Sequence, residues 1–446
     1  MSNKPSLSFW QIINMNVGFF GIQYSFGLQQ TAINPIYSYL HADPSQLPIL
    51  NLAGPMTGLL IQPLIGAWSD KTWHPRWGRR KPFFLVGAIL CSICLFLFPF
   101  STSLWMAVGL LWVLDIGNNT AMEPYRAFVA DKLPEPQQGM GFLTQSFFTG
   151  LGITLANLSL HFLKPILNGT AASGIPYWVF GSFFIGAVCS IGTVLWSMST
   201  TPEIKPSTEE MDYIAYNIHG PWQPFYDIFD AIKIMPRIMW QLALVYLFQW
   251  YALFCYWQFA TPSIAKSLFG VDKVDGIDLN ESQQKLYDEA VDITSLVNGW
   301  YNVVTFLSAF GLVWLAKKYT PKFVHFICLA LAAACFFVFP HLTDKNLLFP
   351  CITGFGIAWA SMMGIPYLMV VSSIPKERFG VFMGIINMMI VIPMIIQTLT
   401  FGFIFKHFLG NNPNNAITFA GVLLALAAGA VLMIGTGDKQ NGEITI

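Results

Sequence analysis

The stretch 105-WMAVGLLWVLDIGNNTAMEPYRAFVADKLP-134 decides how the chain folds, because it is long enough to cross a bilayer and yet carries polar and charged residues. Asp115 lies ten residues after Trp105. At about 1.5 Å per helical residue, it lies about 15 Å into a hydrocarbon core about 30 Å thick. A central acid costs roughly 2.5–3.5 kcal/mol on insertion scales and is by default a candidate functional site.

A polar stripe follows one face of this predicted helix. At about 100° per residue, Asp115, Asn119 and Arg126 fall within one narrow sector. Asn118 flanks this sector on one side, and Glu123 lies further round on the other. The stripe predicts the wall of a cavity within the membrane.

The composition identifies a polytopic membrane protein of the all-α class. Of the 446 residues, 54% are hydrophobic and only 10% are charged, against about 25% charged residues in soluble domains. The net charge of zero gives no electrostatic case for a nucleic-acid partner. Twelve apolar segments reach the length of a membrane span. They are predicted at 9–39, 48–69, 82–101, 104–129, 140–162, 175–198, 238–265, 289–316, 322–340, 346–373, 380–404 and 413–436.

The basic residues predict the orientation of these spans. With the N-terminus inside, all but six of the 23 Lys and Arg fall on the inner side. The positive-inside rule then makes both termini, and the loop near Glu209, cytoplasmic. We therefore expect a multi-pass protein of the cell (inner) membrane. The six outer residues are Lys164, Lys266, Lys273, Lys285, Lys345 and Lys406.

A long inner loop divides the spans six and six. We expect an N-terminal six-helix bundle over 1–200, a cytoplasmic linker over 201–237 and a C-terminal six-helix bundle over 238–446. Many transporters consist of two such similar bundles around a site at the midplane.

A weak internal repeat agrees with this division. Pro124 and Pro366 are 242 residues apart, and Gly139 and Gly380 are 241 apart. Both copies run from the end of an even-numbered span into the next one. Chance matches of Pro and Gly are common, so the repeat supports the division without deciding it.

Charged residues at the inner ends of the spans predict a gate. An Asp at the end of the second span can pair with a neighbouring helix and hold a closed state, although the positive-inside rule alone accounts for the basic cluster beside it. Glu123 and Arg126 form an i, i+3 pair near the inner end of the fourth span. The predicted gate comprises Asp70, Arg79, Arg80, Glu123, Arg126 and Asp131.

Amides and aromatic residues in the spans predict a site for a polar, ring-shaped substrate. Asp115 is the proposed proton-coupling acid and a strong hydrogen-bond acceptor. Single amides in membrane helices often serve only as contacts between helices, and the aromatic residues equally suit packing. The candidate substrate-binding residues are Asp115, Asn119, Gln29, Asn118, Gln249, Trp250, Asn302 and Asn387.

The sequence carries no signature of an enzyme. No His pair has metal-ligand spacing, and no Ser-His-Asp set, P-loop or dinucleotide fingerprint occurs. Cys91 and Cys94 have a redox spacing, but they lie in an apolar segment where packing is the favoured reading. We expect no catalytic residue, no cofactor and no metal site.

Several motifs carry a resemblance to a known family. Asp70 with 78-GRRKPF-83 is similar to the signature between spans two and three of the major facilitator superfamily. Four further stretches resemble the sucrose–proton symporters of plants and their bacterial and animal relatives. They are 21-GIQYSFGLQQTAINPIY-37, 51-NLAGPMTGLLIQPLIGAWSD-70, 110-LLWVLDIGNNTAMEPYRAFVAD-131 and 380-GVFMGIINMMIVIPMIIQ-397.

The resemblance implies a disaccharide–proton symporter of the glycoside-pentoside-hexuronide type that works by alternating access, with Asp115 as the coupling acid. Glu123 stands where plant members usually have Gly, and the fifth span has no Arg where plant members carry a basic residue. These departures favour a bacterial-type carrier of maltose, sucrose or another glycoside. The implied partners are the sugar, the proton and membrane lipid, and we expect a monomer.

Two alternatives remain from the sequence alone. One carboxylate does not identify its cation, so a sodium-coupled or uncoupled sugar facilitator of the same fold is possible. A membrane receptor that keeps the fold without transporting is a different class of function. The cost of keeping Asp115 in the membrane favours transport over a receptor.

Overall fold

The computed structural model describes residues 4–40, 50, 52–208, 210–212, 223–271 and 280–435. In this part of the chain, helices account for nearly all regular structure. The predicted cytoplasmic position of Glu209 lies outside the described residues.

Twelve long helices run through the described residues, one for each predicted span. A shorter helix, Gln223–Lys233, precedes the seventh long helix and is called the linker helix here. The long helices are α1 Phe9–Tyr39, α2 Ala53–Asp70, α3 Lys81–Leu97, α4 Leu104–Lys132, α5 Glu135–Leu163, α6 Tyr177–Thr200, α7 Arg237–Phe269, α8 Glu281–Lys318, α9 Pro321–Val338, α10 Lys345–Val371, α11 Phe379–His407 and α12 Pro413–Leu432.

Nine of these helices are long and apolar enough to cross a membrane by length and composition, counted over the described residues. The three helices outside that set are α1, α2 and α4. All three belong to the first half of the chain, and α4 contains Asp115, Glu123 and Arg126. The candidate residues Gln29, Asp70 and Asp115 lie on these three helices.

A capping residue and a proline determine where α4 begins and ends. The ends of the helix in turn fix the position of its polar stripe in the bundle. The Ser103 hydroxyl caps the start of α4 by accepting a hydrogen bond from the Met106 backbone N–H. Pro134 follows the end of α4 with an extended backbone and precedes the first residue of α5. Because α5 begins at Glu135, three residues after α4 ends at Lys132, the two helices meet at the same end of the bundle.

The helices form two bundles of six, as the fold prediction expected. In the first bundle α1 packs on α5 and α6, and α3 packs on α4. In the second, α7 packs on α12 and α8 packs on α10. Between the bundles, α2 packs on α11, and α5 packs on α8 and α10. The face at which α1 begins is called the N-terminal face, and because the number of long helices is even, α12 ends there as well.

The contact between α2 and α11 depends on two glycines near the N-terminal face. A Cβ atom on Gly380 would overlap the carbonyl oxygen of Gly66, and a Cβ on Gly66 would overlap the backbone of Gly380. Only residues without a side chain allow the two helices to approach so closely. The two bundles therefore meet backbone to backbone on this side.

Candidate functional site

Asp115 is fully buried at the centre of a small polar group in the first bundle. Its Oδ1 accepts a hydrogen bond of 2.8 Å from Gln29 Nε2. Asn118 Nδ2 donates to Gln29 Oε1 over a longer distance of 3.4 Å. The structure thus brings together three of the predicted site residues, from α1 and α4.

The second carboxylate oxygen of Asp115 has no hydrogen-bond partner within the described residues. The nearest heavy atom to an added Cβ on Gly54 would be this oxygen, at 3.9 Å. None of the ion pairs formed by the described residues involves Asp115. A buried carboxylate without a cationic partner is costly, and binding a proton removes that cost.

Asn119 lies one turn further along α4 and is held by α2. Its Nδ2 donates to Thr57 Oγ1 at 3.0 Å and to the Asp115 carbonyl at 2.9 Å. Its Oδ1 accepts a hydrogen bond from Gln62 Nε2. These bonds give Asn119 the helix-to-helix role that intramembrane amides often have, and its contact with sugar stays a prediction.

Asn387 also lies at a helix contact, here between the two bundles. Its Nδ2 on α11 donates to the Gly58 carbonyl on α2 at 2.8 Å. The side chain does not bond to the Asp115 group. Its predicted role in substrate binding also stays untested.

The second bundle carries a separate set of buried polar atoms. Gln249, Trp250 and Asn302 are all more than nine-tenths buried. Both polar atoms of the Gln249 amide, the Trp250 indole nitrogen and Asn302 Oδ1 have no hydrogen-bond partner among the described residues. Native interiors rarely leave so many polar atoms without partners. Such a group of atoms is typical of a binding site, where a ligand supplies the missing partners.

Aromatic rings surround this second set. The Trp250 ring lies 5.7 Å from the Trp359 ring and 6.4 Å from the Trp257 ring, measured between centroids. Trp359 on α10 is buried, and its indole nitrogen has no partner in the described part of the chain. The sequence analysis missed Trp359, because a single Trp in an apolar span is ordinary packing in sequence.

Glu123 and Arg126 form a buried ion pair further along α4, toward the N-terminal face. Arg126 Nη1 lies 2.7 Å from Glu123 Oε1, while Glu123 Oε2 has no partner among the described residues. The Arg126 guanidinium lies 4.6 Å from the ring centroid of Tyr367 on α10. The Tyr367 ring in turn stacks on Phe142 of α5. The pair therefore faces the opposite bundle.

A second charged group closes the N-terminal face. Arg80 contacts Asp70 Oδ1 at 2.7 Å and Asp131 Oδ2 at 2.8 Å. The Asp70 carboxylate also accepts hydrogen bonds from the backbone N–H groups of Gly380 at 2.8 Å and Val381 at 2.9 Å. These N–H groups begin α11, where the helix dipole favours a negative charge. Asp70 thus ties α2 of the first bundle to α11 of the second.

Five of the six predicted gate residues belong to these two groups, and the sixth is Arg79. Glu203, which the sequence analysis missed, accepts hydrogen bonds of 2.8–2.9 Å from the backbone N–H groups of Arg79, Arg80 and Lys81. The Arg79 side chain forms no ion pair among the described residues. Glu203 follows α6 and lies more than 120 residues along the chain from its partners. No local sequence pattern therefore predicts these contacts.

The comparisons with known proteins agree with this architecture. The model of the Major Facilitator Superfamily matches residues 15–398. A protein of Oryza sativa subsp. indica named sucrose transport protein SUT5 is 24% identical, over 88% of this chain and 82% of that protein. A protein of Arabidopsis thaliana named sucrose transport protein SUC4 is 25% identical, over 92% of this chain and 85% of that protein.

Solved structures show the same fold at low identity. A crystal structure of the E. coli fucose:proton symporter FucP has a TM-score of 0.65 and 13% identity, over 96% of this chain and 98% of that one. A structure of FucP described as in the outward conformation has a TM-score of 0.66 and 14% identity, with the same coverage. The family model spans most of the chain, and its long helices match the fold, so this multi-pass membrane protein belongs to the Major Facilitator Superfamily.

Proposed function

We propose that the protein is a proton-coupled symporter of a disaccharide or glycoside, of the sucrose or maltose type. The observation that carries the proposal is Asp115, a fully buried carboxylate with one free oxygen and no ion-pair partner among the described residues. Relatives named as sucrose transport proteins support a sugar as the substrate. The departures at Glu123 and in α5 favour a bacterial-type member of the group.

Asp115 would couple the proton to the sugar through its charge. Without a proton, the carboxylate needs water or the Gln29 amide, which donates to Oδ1 at 2.8 Å. With a proton, the site loses its net charge and can close around a sugar. The protonated carboxyl group can then donate its O–H to a sugar oxygen and accept a hydrogen bond from a sugar hydroxyl.

The second bundle would hold the sugar ring. Gln249 and Asn302 offer unused hydrogen-bonding atoms, and Trp250 offers an aromatic face. Sugars present hydroxyls at their edges and apolar C–H groups on their faces, so amides beside an indole match both parts. A site divided between the two bundles would bring them together when it is occupied.

The alternating step would use the contacts at the N-terminal face. In this structure Asp70 joins α2 to α11, and Arg126 lies against Tyr367 on α10. Both contacts cross between the bundles, so both have to break before sugar can leave on that side. We take the first bundle as 1–200, the linker as 201–237 and the second bundle as 238–446, moving largely as rigid bodies.

We place this face in the cytoplasm of a protein of the cell (inner) membrane, on the basis of the basic residues. Thr208 is exposed in the segment after α6 and offers a test. A cysteine at position 208, in a variant without the native cysteines, should react with an impermeant maleimide only after the cells are opened. Labelling in intact cells would reverse the orientation.

Transport in proteoliposomes tests the function itself. Radiolabelled sucrose, maltose, other glycosides and monosaccharides would be supplied under an inward proton gradient, an inward sodium gradient or neither. We expect accumulation of at least one disaccharide or glycoside under the proton gradient, abolished by a protonophore. Accumulation driven by sodium alone, or only equilibration, would favour the sodium-coupled carrier or the facilitator. Binding of sugar without uptake would favour a receptor.

A further inference from the structure

A cavity of about 860 Å³ opens between the two bundles at the N-terminal face. It lies outside the contact of Asp70 with Arg80, and neither residue lines it. Its walls come from the start of the chain, the end of α4, the segment after α6 and the connection between α10 and α11. Pockets of roughly 300–1,000 Å³ are the usual size for small-molecule sites.

The lining of the cavity carries a formal excess of one positive charge. Five cationic and four acidic residues line it. Three of the four acids already have partners: Asp131 accepts from Arg80, Glu203 accepts from three backbone N–H groups, and Glu210 accepts from the backbone N–H of Ser207. These three acids are therefore fixed by donors of the protein, and Lys4 and Lys132 are fixed in the same way by the carbonyl oxygens of Ala130 and Pro202.

Two arginines of the lining, one from each bundle, have a buried nitrogen without a hydrogen-bond partner among the described residues. Arg79, at the start of the first bundle's third helix, is 7% exposed, and its Nε has no hydrogen-bond partner among the described residues. Arg378 lies immediately before α11, and its buried Nη1 also has no hydrogen-bond partner among the described residues. Neither guanidinium forms an ion pair within the described part of the chain. A buried guanidinium nitrogen without an acceptor is costly, so an anion that supplied one to each of these two nitrogens would bind favourably.

We propose that this cavity binds a phosphate monoester group between Arg79 and Arg378. Guanidinium groups match phosphate oxygens in planar, paired hydrogen bonds, which an ammonium group does not. A dianion is favoured over a monoanion, since it can neutralise both arginines. The group belongs either to a soluble metabolite of hexose phosphate size or to the headgroup of phosphatidic acid.

Occupancy of the site would slow transport. Arg79 belongs to the first bundle and Arg378 to the second, so an anion that binds both crosses the same interface as Asp70 and Gly380. Any ligand that binds the closed N-terminal face better than the open one shifts the population toward closure. A phosphorylated product of the imported sugar would then limit its own supply.

Binding to the purified protein in detergent is the first test, and it does not depend on transport. Calorimetry would use inorganic phosphate, glucose 6-phosphate, glucose and a short-chain phosphatidic acid. We expect glucose 6-phosphate or phosphatidic acid to bind and glucose not to bind. Arg378→Gln should weaken binding at least about tenfold, because it removes one charge-assisted contact.

Matched controls separate the cavity from general charge. Arg237 and Arg76 are exposed and do not line the cavity. Arg237→Gln and Arg76→Gln should leave binding unchanged, while Arg79→Gln should weaken it as Arg378→Gln does. Equal affinity in Arg378→Gln and Arg237→Gln, or no binding of any phosphate compound, would overturn the proposal.

Uptake in proteoliposomes distinguishes the source of the phosphate and rests on the proposed transport function. Glucose 6-phosphate would be present on both sides of the vesicles, or phosphatidic acid in the bilayer. Slower uptake with the soluble compound, absent in Arg378→Gln, identifies a metabolite site; the same pattern only with the lipid identifies a headgroup site. Binding that leaves uptake unchanged in both arms would overturn the regulatory role. If no uptake occurs at all, the transport proposal fails while the binding result still stands.

Discussion

The two bundles bury different chemistry. The first buries the charged side chains of Asp115, Glu123 and Arg126 along α4. Among the described residues of the second bundle, no Asp, Glu, Lys or Arg side chain is buried. Its buried polar residues include the amides of Gln249 and Asn302, beside tryptophans.

The difference separates two tasks that a symporter combines. A side chain that takes up and releases a proton must be titratable, and charge inside a membrane is expensive. Of the two bundles, only the first buries carboxylates among the described residues, whereas the second buries the titratable His325 in a hydrogen bond with Ser361. A sugar has no charge, so amides and aromatic rings suffice to hold it. The comparison predicts that changes in the first bundle uncouple transport, whereas changes in the second weaken sugar binding.

The largest expected effect is that of Asp115→Asn. The amide keeps the shape and the hydrogen bond to Gln29, but it cannot titrate. Accumulation of sugar under an imposed proton gradient should fall to background, while exchange of labelled for unlabelled sugar across equal concentrations persists weakly. Uptake and exchange assays on the same proteoliposomes measure both quantities.

Asp292→Asn provides the matched control for this change. Asp292 is an exposed carboxylate on α8, so its conversion to an amide should leave accumulation unaltered. Should Asp115→Asn still concentrate sugar in response to a proton gradient, the coupling acid lies elsewhere. Glu123, with one oxygen unpartnered among the described residues, would be the next candidate.

A smaller effect is expected for Asp70→Asn, which acts at the contact between the bundles rather than in either one. The amide loses the charge that meets Arg80 and the first N–H groups of α11. Charge-assisted hydrogen bonds contribute roughly 1.5–3 kcal/mol, so the equilibrium constant for closing the N-terminal face should fall about tenfold or more. Net uptake should slow, while sugar affinity in detergent stays measurable.

Asp230→Asn is the control for Asp70→Asn. Asp230 pairs with Lys233 on the exposed surface of the linker helix, where ion pairs contribute little. Net uptake by this variant should equal that of the unmodified protein. If Asp70→Asn also matches it in both uptake and binding, Asp70 is only a charge at a helix end.

The sequence predicted the helices well because a membrane span has a strong signal. Length and hydropathy determine it locally, and each of the twelve segments became one helix in the described chain. The burial of Asp115 was predictable for the same reason, whereas its role in coupling stays a prediction. Its partner Gln29 was a candidate, but the bond between them required the packing of α1 on α4.

Contacts between distant segments were the part that the sequence could not supply. Glu203 binds three backbone N–H groups, and Tyr367 lies beneath Arg126, yet neither residue stands out in its own stretch. The predicted gate was one network, whereas in the structure Glu123 pairs with Arg126 and Asp70 pairs with Arg80, and no ion pair among the described residues joins the two. Which charged residues pair depends on how α4 packs beside α2. The pattern of charges along one segment does not specify that packing.

The smallest expected effect, and the sharpest test of the second bundle, is that of Gln249→Leu. Both polar atoms of this buried amide are unpartnered among the described residues, so an apolar side chain of similar volume should leave the thermal stability unchanged or higher. If the amide binds sugar, affinity should fall about threefold to tenfold, the loss of roughly one hydrogen bond. Proton coupling, measured as the ratio of accumulation with and without the gradient, should persist.

Gln397→Leu makes the comparison decisive, because it changes the same residue type on a neighbouring helix. Gln397 is equally buried, but its Nε2 donates to Gln258 Oε1 at 3.1 Å. Its replacement should lower the melting temperature and leave sugar affinity near that of the unmodified protein, the reverse of Gln249→Leu. If both variants lose stability and neither loses affinity, the amides of the second bundle are contacts between helices. The sugar would then be held by the first bundle, where Asp115 and Gln29 supply hydrogen-bonding groups.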